Sequence, residues 1–282
     1  MVETNEVNIQ RILNPTAIDL GEYVINPFMG CEFACLYCYV RSNRVISKRH
    51  KPWGEFVDVR INAPDLLEKE LKLKKPKVVL LGSTTECFQP TEQKYQITKK
   101  MLEILNNHGV YYVILSRSPY IVNYISLLNK GFCRKIYFTI NNMPIPFKQK
   151  LEPKTPGFES RIEAINTLLD EKIPVIPYFS PVLPWISDYN DIFTKLDTID
   201  SIEFECLNFN LKNISEIIAK IAEIDPVLAD KYLKMFNDKA FYTYIFNGIR
   251  RNITEKAKAL TNNADIDIHL HQFGNYFENR YS

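Results

Sequence analysis

Apolar positions recur along this chain with two different periods. Short runs at 23–28, 56–61, 77–83, 111–116, 135–141, 174–180 and 201–207 are continuously apolar or alternate with polar residues. That pattern predicts strands. Between them, segments 64–74, 93–107, 120–129, 159–171, 188–195, 213–223 and 239–262 space their apolar residues three and four apart, which predicts helices. Leu67 and Leu71 mark the first of these, and Ile97, Met101, Leu102 and Leu105 the second. Strand followed by helix, repeated in this order, implies βα units and a parallel sheet, either open or barrel-like. Chemistry in such folds gathers beyond the C-terminal ends of the strands. The last residues of each run, and the loop that follows, are therefore where function is sought.

Alternation within a run also sorts its faces. In 135–141, Ile136, Phe138 and Ile140 share one side while Lys135, Tyr137 and Thr139 share the other. If the apolar set packs on helices, Tyr137 and Thr139 face the inside of the sheet. In 201–207 the same logic sets Glu203 and Glu205 opposite Ile202, Phe204 and Cys206. Glu205 reads either as an inward contact to substrate or cofactor or as an outward ion-pair partner. Near the end, Arg250, Arg251, Lys256 and Lys258 lie on or near one helical face, the pattern of a solvated surface. His269 and His271 alternate on one side of a short strand; a pair is too few ligands for a metal site, and an edge strand with a polar face is expected. The aromatic segment 273–282 reads as closing a barrel mouth or meeting a partner.

With 282 residues, 46% of them apolar, the chain is long enough for one large α/β domain or two smaller ones. Pro-rich stretches at 144–157 and 174–184 are interrupted by apolar residues and read as loops within a domain. The net charge of +2 is too mild to indicate a dedicated nucleic-acid binder, although a local basic channel can hide in a neutral total. No run of about 18 apolar residues predicts a membrane span, and the polar N-terminus lacks the form of a targeting segment. Of six cysteines, three fall within eight residues and the rest are scattered, a poor disulfide framework. A cytoplasmic protein with reduced thiols is expected.

The clustered cysteines stand in NPFMGCEFACLYCYVRS, spaced Cys31-x3-Cys35-x2-Cys38, directly after the first strand-like run. Thiolates are soft ligands suited to zinc, copper(I) or iron–sulfur clusters. Structural zinc takes four ligands, and a four-iron cluster normally takes four cysteines. Three cysteines leave one iron open to a chelating amino and carboxylate pair. The competing reading is zinc completed by a remote histidine, His50 being nearest along the chain. Tyr37 and Tyr39 beside the last cysteine serve no purpose for zinc but suit a flat adenine.

This segment resembles the signature of the radical S-adenosylmethionine (SAM) superfamily. Within it, the chain is similar to the spore photoproduct lyase-like, or DNA repair photolyase-like, group. Segments 26–42, 54–71, 80–92 and 151–184 carry the resemblance, and it weakens after about residue 210. It implies a partial (β/α)6 TIM-like barrel over 1–210, with 40–62 (including the run FVDVRI) as an insertion and 211–282 as a C-terminal helical and strand extension closing the barrel. It implies a 4Fe–4S cluster on Cys31, Cys35 and Cys38, with SAM at the open C-terminal mouth. By the same resemblance Tyr37, Tyr39, Ser83, Thr84, Glu86, Arg117, Thr139 and Arg161 hold SAM. Glu86 would meet its ammonium, Arg117 or Arg161 its carboxylate, and Thr139 its methionine or ribose; Arg161 could instead pair with Glu86, Arg117 reads otherwise as an exposed loop residue, and a helix N-cap is the other reading of the 83–86 segment. Glu152 matches a family position without an assigned role. The implied reaction is reductive cleavage of SAM to methionine and a 5′-deoxyadenosyl radical, which takes hydrogen from a substrate. An electron donor of flavodoxin or ferredoxin type would be the partner, with no membrane involved.

The substrate does not follow from the resemblance. Spore photoproduct lyases use a cysteine as hydrogen donor where this chain has Ser83, and a serine O–H is a far poorer donor than a thiol. Cys87, Tyr137 and Glu205 remain candidates for roles in catalysis, with Cys87 read either as an alternative donor or as a buried thiol filling space. A small molecule, a peptide and a nucleic acid all stay open as substrates. So do a non-catalytic iron–sulfur or zinc protein and a nucleic-acid-binding repair protein as alternative functions.

Overall fold

A computed structural model of the chain describes residues 2–196, 199–209, 211–260 and 267–271. Strands are β1 (Glu3–Val7), β2 (Asn14–Pro15), β3 (Tyr23–Ile25), β4 (Phe28–Met29), β5 (Phe56–Arg60), β6 (Val78–Leu81), β7 (Tyr111–Ser116), β8 (Cys133–Ile140), β9 (Val175–Val182), β10 (Ser201–Cys206) and β11 (Asp267–His271). Helices are α1 (Arg44–Ser47), α2 (Ala63–Lys74), α3 (Pro90–Tyr95), α4 (Ile97–Asn107), α5 (Ile125–Leu128), α6 (Ile145–Leu151), α7 (Phe158–Asp170), α8 (Asn190–Lys195), α9 (Ile214–Ala222), α10 (Pro226–Asn237) and α11 (Lys239–Leu260). This is a mixed α/β fold built on parallel strands. The chain divides into two compact units, one of Met1–Ala34, Arg44–Thr139 and Lys154–Ile176, the other of Cys35–Asn43, Ile140–Pro153 and Pro177–Ser282.

In the first unit the strand order is β2–β3–β6–β7–β8, antiparallel between β2 and β3 and parallel from β3 onward. Val79, Leu80 and Leu81 of β6 are fully buried on both faces of their strand, as expected where helices cover a parallel sheet on two sides. β5 stays out of this sheet and pairs instead with β1 (parallel) and β4 (antiparallel). The helix expected over 93–107 is two helices, because Gln96 adopts φ 52° and caps α3 before α4 begins. Likewise 120–129 starts as a 3-10 turn over Pro119–Tyr124 and becomes helical only at α5.

In the second unit, β10 pairs with β9 and with β11, both parallel. β10 alternates as read from sequence: Ile202, Phe204 and Cys206 are buried, while Ser201, Glu203 and Glu205 are half-buried. Burying a side chain such as Phe204 contributes about 1.5–3 kcal/mol. Its ring meets those of Phe179, Phe193 and Tyr189 at centroid distances of 5.7–6.1 Å. α10, which the sequence reading passed over, is capped by Asp225, whose carboxylate accepts from the Leu228 amide at 2.9 Å. Its buried Leu228, Tyr232 and Met235 have ordinary helical spacing. β11 falls within the short strand expected from the sequence, with His269 exposed and bonded to Asp267 at 2.8 Å. The expected closing segment 273–282 lies outside the described residues. Among the described residues no helix is long and apolar enough to cross a membrane.

Candidate active site

The first part of the cysteine loop is built by the first unit. At the end of β3, the Asn26 side chain donates to the Ser83 hydroxyl (3.3 Å) and accepts from the Thr84 amide (2.9 Å), tying β3 to the segment beyond β6. Gly82 makes that junction possible. It holds φ +85°, and a Cβ there would lie 2.5 Å from the Leu115 carbonyl oxygen. The segment 85–91 then grips the loop. Thr85 donates to the Gly30 carbonyl (2.6 Å), Gln89 accepts from the Glu32 amide (2.9 Å), and Thr91 donates to the Glu32 carboxylate. Cys31 is half-buried in this cradle, and its carbonyl accepts from the Ala34 amide.

The second part of the loop is built by the second unit. The Leu36 amide donates to the Leu151 carbonyl at 2.8 Å, and the Leu36 carbonyl accepts from Asn213 (2.5 Å) and Arg41 (2.9 Å). Arg41 also pairs with Glu216 at 3.0 Å. Tyr37, between Cys35 and Cys38, is buried, and its hydroxyl donates to the buried carboxylate of Glu152. Glu152 thus anchors the loop through a partner, Tyr37, that its sequence position did not disclose. Turn bonds from the Cys38 amide to the Cys35 carbonyl and from the Arg41 amide to the Cys38 carbonyl, each 3.2 Å, fold the loop around the two thiols.

Other predicted residues gather at the C-terminal ends of adjacent parallel strands in the first unit: Ser83, Thr84 and Glu86 after β6, Arg117 after β7 and Thr139 in β8. Glu86 is fully enclosed. It accepts from the Ser116 hydroxyl (2.8 Å), the Phe88 amide (2.9 Å) and the Arg117 amide (2.8 Å). Burial pushes its carboxyl above the usual range, against the pull of those donors and of the Arg117 charge. Glu86 thus clamps the end of β7 to the loop after β6, which neither the ligand reading nor the helix-cap reading had described. Arg161, in the first turn of α7, is fully buried, and its Nε and Nη2 donate to the Pro156 carbonyl at 3.1 and 2.9 Å.

Of the catalytic candidates, Cys87 is fully buried, and burial raises its thiol well above its usual 9.0, with Glu86, Glu92 and Cys31 adding to the rise. Tyr137 is half-buried beneath Lys135, whose Nζ lies 5.5 Å from the ring centroid. Glu205 accepts from the Ser180 hydroxyl at 2.5 Å. It also lies near enough to Tyr39 to help Cys38 and, chiefly, desolvation push that phenol up to about 12. Glu205, Ser180, Tyr39 and Cys38 are therefore neighbours within the second unit.

Three cysteine thiols on one short loop, each set by backbone turns, form a donor set whose softness fits an iron–sulfur cluster. Among the described residues no three His, Cys, Asp or Glu side chains already converge on one point. The assignment of ligands therefore stands on spacing and thiolate chemistry.

A parallel α/β sheet whose first parallel strand leads into a Cys-x3-Cys-x2-Cys loop is the arrangement of radical SAM proteins. A family model described as the radical SAM superfamily matches residues 25–190, and the chain belongs to that superfamily. An uncharacterised protein of Methanocaldococcus jannaschii is 29% identical over 248 residues, which is 86% of this chain and 91% of that one. An uncharacterised protein of Mycobacterium tuberculosis is 21% identical over 196 residues, or 67% of this chain and 57% of its own length. Among solved structures, a variant of spore photoproduct lyase superposes with a TM-score of 0.60 at 16% identity, covering 78% of this chain and 66% of the lyase chain. A form of that lyase with bound AdoMet and dinucleoside spore photoproduct gives a TM-score of 0.58 at 17% identity, covering 78% of this chain and 65% of the other. At such identities the likeness establishes a shared fold. This chain spans just under two thirds of the lyase's length.

Proposed function

We propose that this protein is a radical SAM enzyme of lyase or transferase type, with a partial (β/α)6 barrel carrying its cofactors at the C-terminal ends of the strands. The observation that carries the reading is the Cys31-x3-Cys35-x2-Cys38 loop emerging from β3 in a chain of this superfamily. A 4Fe–4S cluster held by Cys31, Cys35 and Cys38 would supply, when bound, the one-electron reduction of SAM on which radical chemistry at a substrate depends.

The chain's own residues bind and orient. Cys31, Cys35 and Cys38 are the proposed cluster ligands. Tyr37 stiffens the loop through Glu152, and Tyr39 offers a ring beside the last cysteine. Ser83 and Thr84, fixed by Asn26, offer hydroxyls after β6. Glu86 is the proposed partner of the SAM ammonium, although its carboxylate already accepts three hydrogen bonds from within the fold. Arg117 is the proposed partner of the SAM carboxylate, and Thr139 of its methionine or ribose. Arg161 holds the Pro156 carbonyl and is the second candidate for the carboxylate. A one-electron donor of flavodoxin or ferredoxin type is the proposed partner. Ser83 argues against thymine-dimer repair, because its O–H is a poor hydrogen-atom donor, and the burial of Cys87 removes the nearest substitute.

The test is anaerobic reconstitution with iron and sulfide, followed by dithionite and SAM. Four irons per chain, a change in the reduced cluster's EPR signal on adding SAM, and release of 5′-deoxyadenosine are expected, all absent in Cys35→Ala. Uptake of zinc in place of a four-iron cluster would overturn the reading.

A further inference from the structure

A cavity of about 420 Å³ lies wholly within the second unit, beyond the C-terminal end of β9. The loop after β9 forms one side and a face of α11 the other, and the size is in the range of small-molecule sites. Three features of its lining bear on what it could hold.

The first is Gly248. It stands in the middle of the 22-residue α11, where glycine costs about 1 kcal/mol relative to alanine. A Cβ at this position would meet nothing within 4 Å. Among the described residues no neighbour requires the glycine, yet it leaves part of the cavity wall bare.

The second is Trp185. Its backbone adopts φ +61°, in the left-handed region that side chains other than glycine avoid. The ring is nevertheless 47% exposed. It is held by an edge contact with Tyr232 (6.2 Å) and by Lys231 over its face (5.3 Å). Across the lining, Tyr244 is 69% exposed. Two large rings are thus offered to solvent beside the bare glycine.

The third is charge. Among the described residues, Arg251 and Lys256 line the cavity against a single carboxylate, Asp188. That carboxylate is engaged by the amide (3.0 Å) and side chain (2.7 Å) of Asn190. Lys256 meets the Asn190 side-chain oxygen and lies 5.7 Å from the Tyr189 ring centroid. The Tyr189 hydroxyl in turn donates to Asn252 at 2.7 Å. These links make a polar wall with an excess of positive charge.

We infer that this cavity binds a planar aromatic anion, a ring system bearing one carboxylate or phosphate. The ring lies across Gly248 beside Trp185 and Tyr244, and the anionic group meets Arg251 and Lys256. Aromatic faces and cations complement such a ligand at both ends. The inference rests on the second unit alone and does not depend on radical chemistry, so either can fail without the other.

The chain has two tryptophans, so Trp53→Phe leaves Trp185 as the sole indole reporter. The full chain, before and after cluster reconstitution, is titrated with benzoate and with uridine 5′-monophosphate, and with neutral benzamide and uridine. A saturable change in Trp185 fluorescence is expected from at least one anion. Its neutral counterpart, and the anion with Arg251→Gln or Lys256→Gln, should bind about tenfold or more weakly. Gly248→Leu should abolish the response, while Gly248→Ala, which favours the helix, checks that folding is intact. Response to benzoate alone assigns an aryl carboxylate and to the nucleotide alone a nucleoside phosphate; response to both supports the shared chemistry. No saturable response to either anion up to about 10 mM, equal binding of the neutral compounds, or indifference to Gly248→Leu would overturn the inference.

Discussion

The Tyr37 hydroxyl donates to the Glu152 carboxylate, and both side chains are buried. Tyr37 sits between two of the cysteines, so this bond ties the loop to the end of α6. Removing the hydroxyl leaves a buried carboxylate short of a donor, which costs about 1–3 kcal/mol. Tyr37→Phe should therefore lower the melting temperature by several degrees and reduce the iron retained per chain after reconstitution. Glu152→Gln keeps an acceptor for Tyr37 and should be milder than Glu152→Ala. Equal melting temperatures and iron content for Tyr37→Phe and wild type would remove Glu152 from the account of the loop.

Gly82 and Gly131 have nearly the same backbone, φ +85° and +88°. A Cβ at Gly82 lies 2.5 Å from the Leu115 carbonyl oxygen, whereas one at Gly131 meets nothing within 4 Å. Alanine at either site bears the left-handed strain of about 1 kcal/mol, but only at Gly82 must backbone also move. Gly131→Ala should fold with a small loss in urea unfolding, and Gly82→Ala should lose several times more or fail to accumulate as soluble protein. Similar losses at both would mean that the β6–β7 junction yields easily.

Much of the fold was legible because long apolar runs are strong signals. Each of the seven expected strands is present, and the alternation in β10 sorts Glu205 from Phe204 as read. What was hidden depends on tertiary contacts. Nothing near Gln96 announces that it will take φ 52° and split a continuous periodic segment. Glu152 lies 115 residues from Tyr37, so no local spacing could pair them. Glu86 illustrates a third limit. An acid after a strand suggests a ligand contact or a helix cap, but its donors come from Ser116, Arg117 and Phe88, and the reach from β6 to β7 is visible only once the sheet is assembled.

Glu86 also predicts a pH dependence. Burial raises its folded pKa above the usual 4.5, so the folded state keeps this proton to higher pH than the unfolded chain does. Its contribution to stability is complete below the unfolded value and is lost as pH rises through the folded one. Glu86→Gln cannot titrate. It also turns an N–H toward the Arg117 amide, a penalty that does not vary with pH. The stability of wild type minus that of Glu86→Gln, from urea unfolding between about pH 5 and pH 8, should therefore shrink as pH rises. A constant difference would show that the group titrates alike in both states.

Cys87 separates a buried thiol from a chemical one. It is fully buried, as is most of Cys206, while Cys31 and Cys38 are only half-buried. Alkylation of the cluster-free chain with iodoacetamide, followed by mass spectrometry, should modify Cys31 and Cys38 well before Cys87. Cys87→Ala should cost stability by leaving a small void beside Gly82, whose added Cβ would lie 3.3 Å from the Cys87 sulfur. If the proposed function holds, the same variant of the reconstituted protein should release 5′-deoxyadenosine at the wild-type rate once corrected for folded protein. Loss of that activity with normal cluster content and folding would place this thiol at the SAM-cleavage step, and early alkylation of Cys87 would return it as a candidate hydrogen donor.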